Sequence, residues 1–392
     1  MEDSRITNKD KILMMGFILA PMNGLRFFKI GPAEILILIW CFLNYKQCLK
    51  INVKNYNFIF WSIFLFVISV GANYGILFYP NQVDYTGLTT WFYFMVISIS
   101  IYQVFRNKSY NYSNNFLKKT ISISIIWYFF LYLYSFFIND VFLGAPLWYE
   151  NVRFSGGANN PHQLAVLLAA ITPLILKYLE ESNNRLTKLY NISLFCIAIF
   201  LGMETNTATL QLSLVVSLAF LFYSIKLNKI KNIKNKFILY ILTVIITIII
   251  FLFFYQYFYE SFVAWLTSDP NGLGRIKIFT TITDTLNKNW IFGLGPGTHA
   301  YFGELEYHNT YLEIIAMSGV LGFAIFIIYT IKIFKNLKID IYFMSAIISL
   351  YVYGLAGFSL RRLAYWSVLM LLLAIAEKKN VNEAKKVPAN IF

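Results

Sequence analysis

Charged residues are scarce in this sequence: 13% of its 392 residues are charged, against 58% that are hydrophobic. A typical soluble chain carries about 25% charged residues, so the composition excludes an ordinary soluble protein. Cysteine is scarce too, since only Cys41, Cys48 and Cys196 occur and no CxxC pair is present. The sequence therefore favours neither a disulfide framework nor a zinc site.

The hydrophobic residues fall into blocks of roughly 20, the length of helix that crosses ~30 Å of hydrocarbon. Blocks such as 237–258 do not alternate, which argues against a membrane β-barrel. We predict an all-α polytopic membrane protein, with residues 1–392 forming a single transmembrane domain because no internal repeat is evident. About twelve spans are expected, at 12–27, 30–45, 57–79, 85–105, 120–138, 161–179, 189–204, 207–225, 237–258, 310–331, 340–358 and 363–377.

Basic residues predict the orientation. The net charge is +14, but the Lys and Arg residues sit in short clusters between the apolar blocks, as membrane topology requires, so no nucleic-acid partner is expected. If the N-terminus is cytoplasmic, 25 of the 33 Lys and Arg residues lie on the inside and eight outside. This asymmetry predicts that both termini are cytoplasmic.

Two connections on the predicted outer face are long enough to carry a site: residues 139–160, and residues 259–309 between spans 9 and 10. We expect these two loops to form the catalytic face. Walker A, HExxH, GxSxG and Asp-x-Asp motifs are absent, which argues against nucleotide-driven chemistry. The spacing of the glycines at 293, 295 and 297 is similar to that of a phosphate-binding loop. No strand precedes them, however, so a plain turn is the favoured interpretation.

Two arginines on this outer face are candidates for binding an anion. Arg153 precedes a helix start at which Pro161 suits the first turn and Asn160 the cap, and such helix ends attract anions. Arg275 follows a turn in the longer loop. Each guanidinium offers phosphate a planar, bidentate donor fork, so the pair suits a diphosphate. The alternative is that both arginines contact lipid head groups.

His308 is the candidate general base, because a neutral imidazole can take a proton from a hydroxyl near neutral pH. The alternative is a local hydrogen-bonding role. Glu304, Glu306 and Glu313 flank it as alternative or orienting carboxylates, and Asn160 and Asn309 are further substrate-binding candidates. Gly319 and Gly322 are expected to admit another helix, while His162 and His299 are expected to have only local roles.

Three fragments together resemble the O-antigen polymerase and O-antigen ligase superfamily of bacterial envelope glycan assembly. They are Arg153 with the run Gly156-Gly157-Ala158-Asn159-Asn160-Pro161-His162, then Gly274-Arg275 followed by Trp290-Ile291-Phe292-Gly293-Leu294-Gly295, and His308-Asn309 followed by Gly319-Val320-Leu321-Gly322. The resemblance covers residues 150 to about 325. This chain departs from the family at residues 204–209, where the family often has an arginine and none is present.

The resemblance implies an inner-membrane enzyme that transfers a saccharide from undecaprenyl diphosphate to a glycan acceptor on the periplasmic face, without metal or other cofactor and with inversion. Arg153 and Arg275 would bind the diphosphate and His308 would deprotonate the acceptor. We expect a polymerase of O-antigen or similar repeat units. Its expected partners are membrane lipids and a protein that regulates chain length. The alternative is the ligase that uses lipid A core, and a polysaccharide transporter or flippase is a third hypothesis.

Overall fold

The computed structural model describes residues 5–26, 30–50, 53, 55–80, 85–230, 274–298, 309–337, 340–355, 357 and 359–384, with the backbone alone at 85, 86, 229, 274–280 and 381–384. Helices dominate this part of the chain. They are α1 (Asn8–Leu19), α2 (Pro32–Leu43), α3 (Tyr45–Cys48), α4 (Tyr56–Phe78), α5 (Tyr85–Arg106), α6 (Tyr110–Phe137), α7 (His162–Glu180), α8 (Arg185–Glu204), α9 (Ala208–Lys229), α10 (Gly274–Asn289), α11 (Thr310–Leu337), α12 (Ile341–Tyr353) and α13 (Leu363–Ala384).

The helices confirm the all-α prediction. Each predicted span within the described residues overlaps a helix, although the one at 12–27 shares only residues 12–19 with α1, and the predicted span at 237–258 lies outside them. Among the described residues, seven helices are long and apolar enough to cross a membrane: α4 to α9, and α11. The total of twelve spans therefore stays a prediction, as does a periplasmic location of the loop at 259–309.

Short polar side chains begin several helices where the apolar blocks begin. Asn55 Oδ1 accepts the Asn57 N–H at 2.8 Å, and Asn184 Oδ1 accepts the Leu186 N–H at 3.0 Å. Such caps satisfy N–H groups that have no partner within the helix. The helix boundaries thus follow from local chemistry as well as from hydropathy.

Helix α7 lies at the centre of the bundle. Of its most apolar 18-residue stretch, 83% is buried, against 28% for α8. Around it, α12 packs against α7 and α9, α11 packs against α4, and α13 packs against α5. Aromatic rings join the last two pairs, with Phe60 stacked on Tyr329 at 3.8 Å and Trp91 edge-on to Trp366 at 6.5 Å between centroids.

The described helices run alternately between two ends of the bundle, which we name the Arg153 end and the Lys177 end. At the Lys177 end, three buried or half-buried ion clusters tie helix ends together. They are Asp10–Lys108, Lys177–Asp340–Lys379 and Arg106–Glu377. The described parts of the predicted inside segments lie at this end, and residues 139–160, 205–206 and 359–362 of the predicted outside segments lie at the other. Which end faces the cytoplasm rests on the charge bias and stays a prediction.

The loop at 139–160 is not purely irregular. It forms two antiparallel pairs of two-residue strands, β1 (Val141–Phe142) with β2 (Ala145–Pro146) and β3 (Trp148–Tyr149) with β4 (Arg153–Phe154), and Tyr149 pairs with Arg153. The hydrophobic pattern did not anticipate these hairpins. They fix the backbone of Arg153 above the end of α8.

Candidate functional site

Arg153 is anchored to the turn between α8 and α9. Its Nε donates to the Thr205 carbonyl oxygen at 3.1 Å, and its Nη2 donates to Thr207 Oγ1 at 3.2 Å. Two of the five N–H donors of this guanidinium are therefore committed to the protein. Arg153 thus contacts the turn at residues 204–209, which itself contains no arginine.

The start of α7 forms as the sequence predicts. Pro161 already has helical torsions, φ −59° and ψ −21°, and the His162 N–H donates to Asn160 Oδ1 at 2.9 Å. Asn160 thus caps this helix. Just before it, Gly157 has φ +85°, and its carbonyl oxygen accepts the Gly24 N–H at 3.1 Å, which joins the loop before α7 to the loop after α1.

His162 forms a hydrogen bond with a residue that is distant in the sequence. Its Nδ1 lies 2.5 Å from the hydroxyl oxygen of Tyr353, a fully buried side chain at the end of α12. Tyr353 thus joins the start of α7 to the end of α12. A second basic region lies around Arg361 and Arg362.

That second region is a cavity of about 840 Å³ at the Arg153 end of the bundle. Its lining comes from the loop after α1, from α2, from the starts of α5 and α7, and from the loop before α13. The polar lining residues are Asn23, Arg26, Glu34, Thr89, Thr90, Gln163, Arg361 and Arg362, and the larger apolar ones are Ile30, Leu38, Tyr93, Phe94 and Leu363. Three arginines against one glutamate give this basic cavity an excess of positive charge.

Glu313 lies beside the basic cavity, in the first turn of α11. The residue is 1% exposed, and its Oε1 is 3.6 Å from Nε of Arg361. A carboxylate this deeply buried needs a compensating cation. Glu313 and Arg361 thus form an ion pair that connects α11 to the loop before α13.

Asn309 and Thr310 hold the same loop. Asn309 Oδ1 caps α11 by accepting the Tyr311 and Leu312 N–H groups at 2.9 and 3.0 Å, and its Nδ2 donates to the Leu355 carbonyl oxygen at 2.6 Å. Thr310 Oγ1 donates to the Gly357 carbonyl oxygen at 2.9 Å. Both residues therefore position the segment that carries Arg361 and Arg362.

Helix α11 is broken about 14 Å from its start, taking 1.5 Å per residue. Gly319 has φ 62° and ψ −166°, a conformation that essentially only glycine adopts. The main chain of residues 290–295 enters this break and satisfies the groups that the helix cannot. The bonds are Leu294 N–H to Ala316 O at 3.1 Å, Gly295 N–H to Met317 O at 3.0 Å, Val320 N–H to Trp290 O at 2.9 Å and Leu321 N–H to Ile291 O at 3.2 Å.

Glycines allow this segment to fit between α4 and α11. A Cβ at Gly71 would lie 2.5 Å from the Phe292 carbonyl oxygen, and one at Gly295 would lie 2.5 Å from Cα of Ala72. The close neighbour of Gly319 is thus the main chain of residues 290–292 rather than a second helix, whereas a Cβ at Gly322 would lie 3.4 Å from Cγ1 of Val67 on α4. Residues 290–295 form turns, as expected, and we name them the re-entrant segment because they are inserted between α4 and α11.

The structure places the remaining predicted site residues only in part. Arg275 belongs to α10, where the backbone alone is described. His308, Glu304, Glu306 and His299 lie outside the described residues. The predicted convergence of Arg153, Arg275 and His308 is therefore untested. Among the described residues, no group of three or more His, Cys, Asp or Glu side chains is placed to hold a metal ion.

Sequence reasoning missed Arg26, Arg361 and Arg362, which line the basic cavity. The signal was present, because basic residues are rare in the predicted outside segments and these three are among the eight that occur there. They were overlooked because they flank apolar blocks, where arginines commonly serve as topology anchors. Neither a protein-family profile nor a curated protein matches this chain.

Proposed function

We propose that this protein is a membrane-embedded glycosyltransferase that uses an undecaprenyl-diphosphate-linked saccharide, and that it polymerises repeat units of O-antigen or a similar surface polysaccharide. The observation that carries the proposal is the basic cavity, which combines Arg26, Arg361 and Arg362 with an apolar wall. A lipid-linked diphosphate has the complementary composition, since a compact anion is joined to a hydrocarbon chain.

The cavity suits the charge of that donor. A guanidinium forms bidentate, charge-assisted hydrogen bonds with phosphate oxygens. Arg361 and Arg362 are half-buried, so water screens their charge less than it screens a fully exposed arginine. The cap of α7 lies close by, because Gln163 in its first turn also lines the cavity, and helix starts favour anions.

The reaction follows from this placement. The acceptor hydroxyl attacks the anomeric carbon, the bond from that carbon to the diphosphate oxygen breaks, and its electron pair stays on the departing diphosphate. The arginines stabilise the negative charge that grows on this leaving group. A base accepts the proton from the acceptor, and His308 is proposed for that role. Attack from the opposite face inverts the anomeric carbon.

Glu313 is better placed to orient Arg361 than to act as this base. Its carboxylate is buried, pairs with Arg361 and is not among the groups that line the basic cavity. We therefore assign Glu313 as a positioning residue. Arg153 is proposed to contribute through contacts between its remaining N–H groups and the diphosphate.

The alternative is an O-antigen ligase, which would use the same donor site with a lipid A core acceptor. A polysaccharide transporter or flippase is a third hypothesis, and the break in α11 is a specific observation in its favour, because transporters use discontinuous helices to bind cargo. In this protein, however, the freed carbonyls of Ala316 and Met317 bond to the re-entrant segment. The break is thus occupied by protein main chain.

The test uses the full chain in nanodiscs with a defined lipid-linked repeat unit, with and without a lipid A core acceptor. A ladder of products without added core, together with released undecaprenyl diphosphate, is the expected result. Transfer to core alone would replace the polymerase with the ligase, and donor movement across vesicles without new glycosidic bonds would overturn both.

Arg362→Gln and Arg185→Gln form a matched pair for this assay. Removing one donor to a developing oxyanion lowers turnover by about 10²–10³-fold in well-studied enzymes, and a loss of that order is expected for Arg362→Gln. Arg185 is an exposed arginine at the Lys177 end, so its substitution should leave turnover unchanged. Equal turnover in the two variants would contradict the assignment of the basic cavity as the donor site.

A further inference from the structure

A stripe of exposed apolar side chains runs along α6. Every third or fourth residue belongs to it, and its members are Ile123, Ile126, Phe130, Leu133 and Phe137. This spacing places them on one face of the helix. Because α6 is long and apolar enough to cross a membrane, the stripe is the side of α6 that contacts lipid.

The first hairpin of the loop at 139–160, formed by β1 and β2, packs at the edge of this stripe. The Phe142 ring lies against Trp127 and Tyr134 of α6, with centroid distances of 5.7 and 5.4 Å. Phe130 of the stripe contacts the same two aromatic residues, at 5.7 and 6.2 Å. The hairpin therefore continues the lipid-facing surface of α6.

The tip of this hairpin is apolar and exposed. Leu143 is 78% exposed and Val141 is 39% exposed, and no charged residue occurs between Asp140 and Glu150. Leu143 has φ 51° and Gly144 has φ 88°. Two-residue turns with positive φ at both positions favour Asn-Gly or Asp-Gly, so an exposed leucine there indicates a turn that does not lie in water.

The second hairpin, formed by β3 and β4, has a tip of different composition. Its tip residues are Glu150, Asn151 and Val152, and the first two also have positive φ, at 51° and 58°. Val152 is 67% exposed, but Glu150 and Arg153 flank it. The two tips thus have similar exposure and differ in charge.

We propose that the tip of the first hairpin, residues 141–144, is inserted into the headgroup region of the bilayer at the Arg153 end. Apolar side chains gain free energy by leaving water, and aromatic residues such as Trp127 and Tyr134 are typical of the membrane–water interface. Leu143 and Gly144 lie outside the two-pair ladder, so their main-chain groups need water or head groups as partners. That requirement keeps the tip at the interface and out of the hydrocarbon core.

This contact would position the segment that carries Arg153, whatever reaction the protein catalyses. The Leu147 N–H donates to the Asp140 carbonyl oxygen at 2.8 Å, and the Ser155 N–H donates to the Leu147 carbonyl oxygen at 2.8 Å. The two hairpins are therefore joined at their bases. Insertion of the first tip thus sets the height of Arg153 relative to the bilayer surface.

Photo-crosslinking tests the proposal on the unaltered chain in phosphatidylcholine nanodiscs. One phosphatidylcholine probe carries a diazirine next to the ester group of its acyl chain, a second carries it at the end of the chain, and adducts are mapped by mass spectrometry. The shallow probe should label residues 141–144, the deep probe should label Ile126 and Phe130, and neither should label residues 150–152. Shallow-probe adducts on α6 without any at 141–144 would overturn the proposal.

Leu143→Asp and Val152→Asp are matched variants, because each places a carboxylate on an exposed hairpin tip. Leu143→Asp should lower the yield of shallow-probe adducts at 141–144 about tenfold, the factor that corresponds to ~1.4 kcal/mol, since it replaces an apolar side chain with a charged one. Val152→Asp should leave that yield unchanged. Both variants should melt in detergent at the temperature of the unaltered chain, because neither side chain packs inside the bundle.

The other outcomes also decide the proposal. Equal labelling of residues 141–144 and 150–152, or an equal loss of adducts in the two variants, would show that the first tip has no special contact with lipid. Protection of residues 141–144 in chains recovered as dimers would assign the tip to a second copy of the chain instead. Because the mapping uses the unaltered chain, it decides the matter even if Leu143→Asp fails to fold.

Discussion

The Oε1 atom of Glu313 lies 3.6 Å from Nε of Arg361, which brings the first turn of α11 against the loop that precedes α13. This ion pair connects a residue predicted from the sequence, Glu313, to the lining of the basic cavity. It gives Glu313 a role that requires no proton transfer.

Glu313→Gln should therefore lower turnover while leaving donor binding intact. The amide keeps the shape of the side chain but removes the charge that holds Arg361, so kcat should fall at least about tenfold, a loss of ~1.4 kcal/mol in transition-state stabilisation. Pyrophosphate affinity should stay equal or increase, because the basic cavity loses a neighbouring anion. Titration calorimetry and single-turnover kinetics measure the two quantities, and a weakened affinity with unchanged kcat would contradict the positioning role.

Arg153→Lys and Thr207→Val separate anchoring from catalysis at the α8–α9 turn. Both changes remove a hydrogen bond of the Arg153 guanidinium, so both should lower the free energy of unfolding by about 1–2 kcal/mol. If Arg153 also contacts the donor, Arg153→Lys alone should reduce turnover well beyond its effect on protein level. Thermal melting in detergent and polymer yield give the comparison. Parallel losses in both variants would restrict Arg153 to a structural role.

Gly319→Ala should prevent correct assembly of α11. The torsions of Gly319 cost a residue with a side chain ~1–3 kcal/mol, and a Cβ there would lie 2.3 Å from the Ile291 carbonyl oxygen. Gly202→Ala is the control, since its Cβ would meet the ends of the Leu210 and Leu214 side chains, at 3.2 and 4.0 Å, and no main-chain atom within 4 Å. Fluorescence-detected gel filtration should show loss of the monodisperse peak for the first variant alone. A normal peak and melting temperature for Gly319→Ala would show that the break is dispensable.

Asp10 should make stability depend on pH at the Lys177 end. Burial disfavours its charge, but hydrogen bonds from Lys108, Tyr112 and Trp40 outweigh burial and hold the pKa of Asp10 below the ordinary value of 3.8. Its stabilising contribution is thus complete above about pH 5 and is lost as pH falls through the lowered folded-state pKa.

The variant Asp10→Asn leaves Lys108 without its carboxylate and should cost about 3 kcal/mol at pH 7, as the loss of one member of a buried ion pair does. Asp140→Asn, at an exposed loop residue, is the control. Melting temperatures from pH 3 to pH 7 should converge for Asp10→Asn and the unaltered chain at the acidic limit. A constant difference down to pH 3 would be inconsistent with a lowered pKa.

Helix positions could be predicted from the sequence because a span needs a long apolar block, and few other structures do. The predicted spans at 57–79 and 310–331 overlap α4 and α11 almost completely. The break at Gly319 could not be predicted in this way, since an apolar run with one glycine also fits a continuous helix. The break is stabilised by four main-chain hydrogen bonds between α11 and residues 290–295. Hydropathy carries no information on such pairings.

The candidate site was predicted less completely. The caps at Asn160 and Asn309 follow from local sequence and are present in the structure. The basic cavity instead depends on how segments far apart in the sequence meet, and a single sequence does not state which arginines share a space. Arg361 and Arg362 were consequently treated as ordinary flanking residues, although they are half-buried and line the basic cavity.

The pairing between the re-entrant segment and α11 uses main-chain atoms throughout. Substitution of Trp290, Ile291 or Leu294 would leave those four hydrogen bonds chemically intact. Alanine scanning would therefore show large losses of stability only at the glycines, and would not reveal that the two segments are bonded to each other. Chimeric proteins that replace the loop at 259–309 would lose this main-chain pairing. Residues 290–297 and 310–321 would have to be transplanted together, because each segment satisfies main-chain groups of the other.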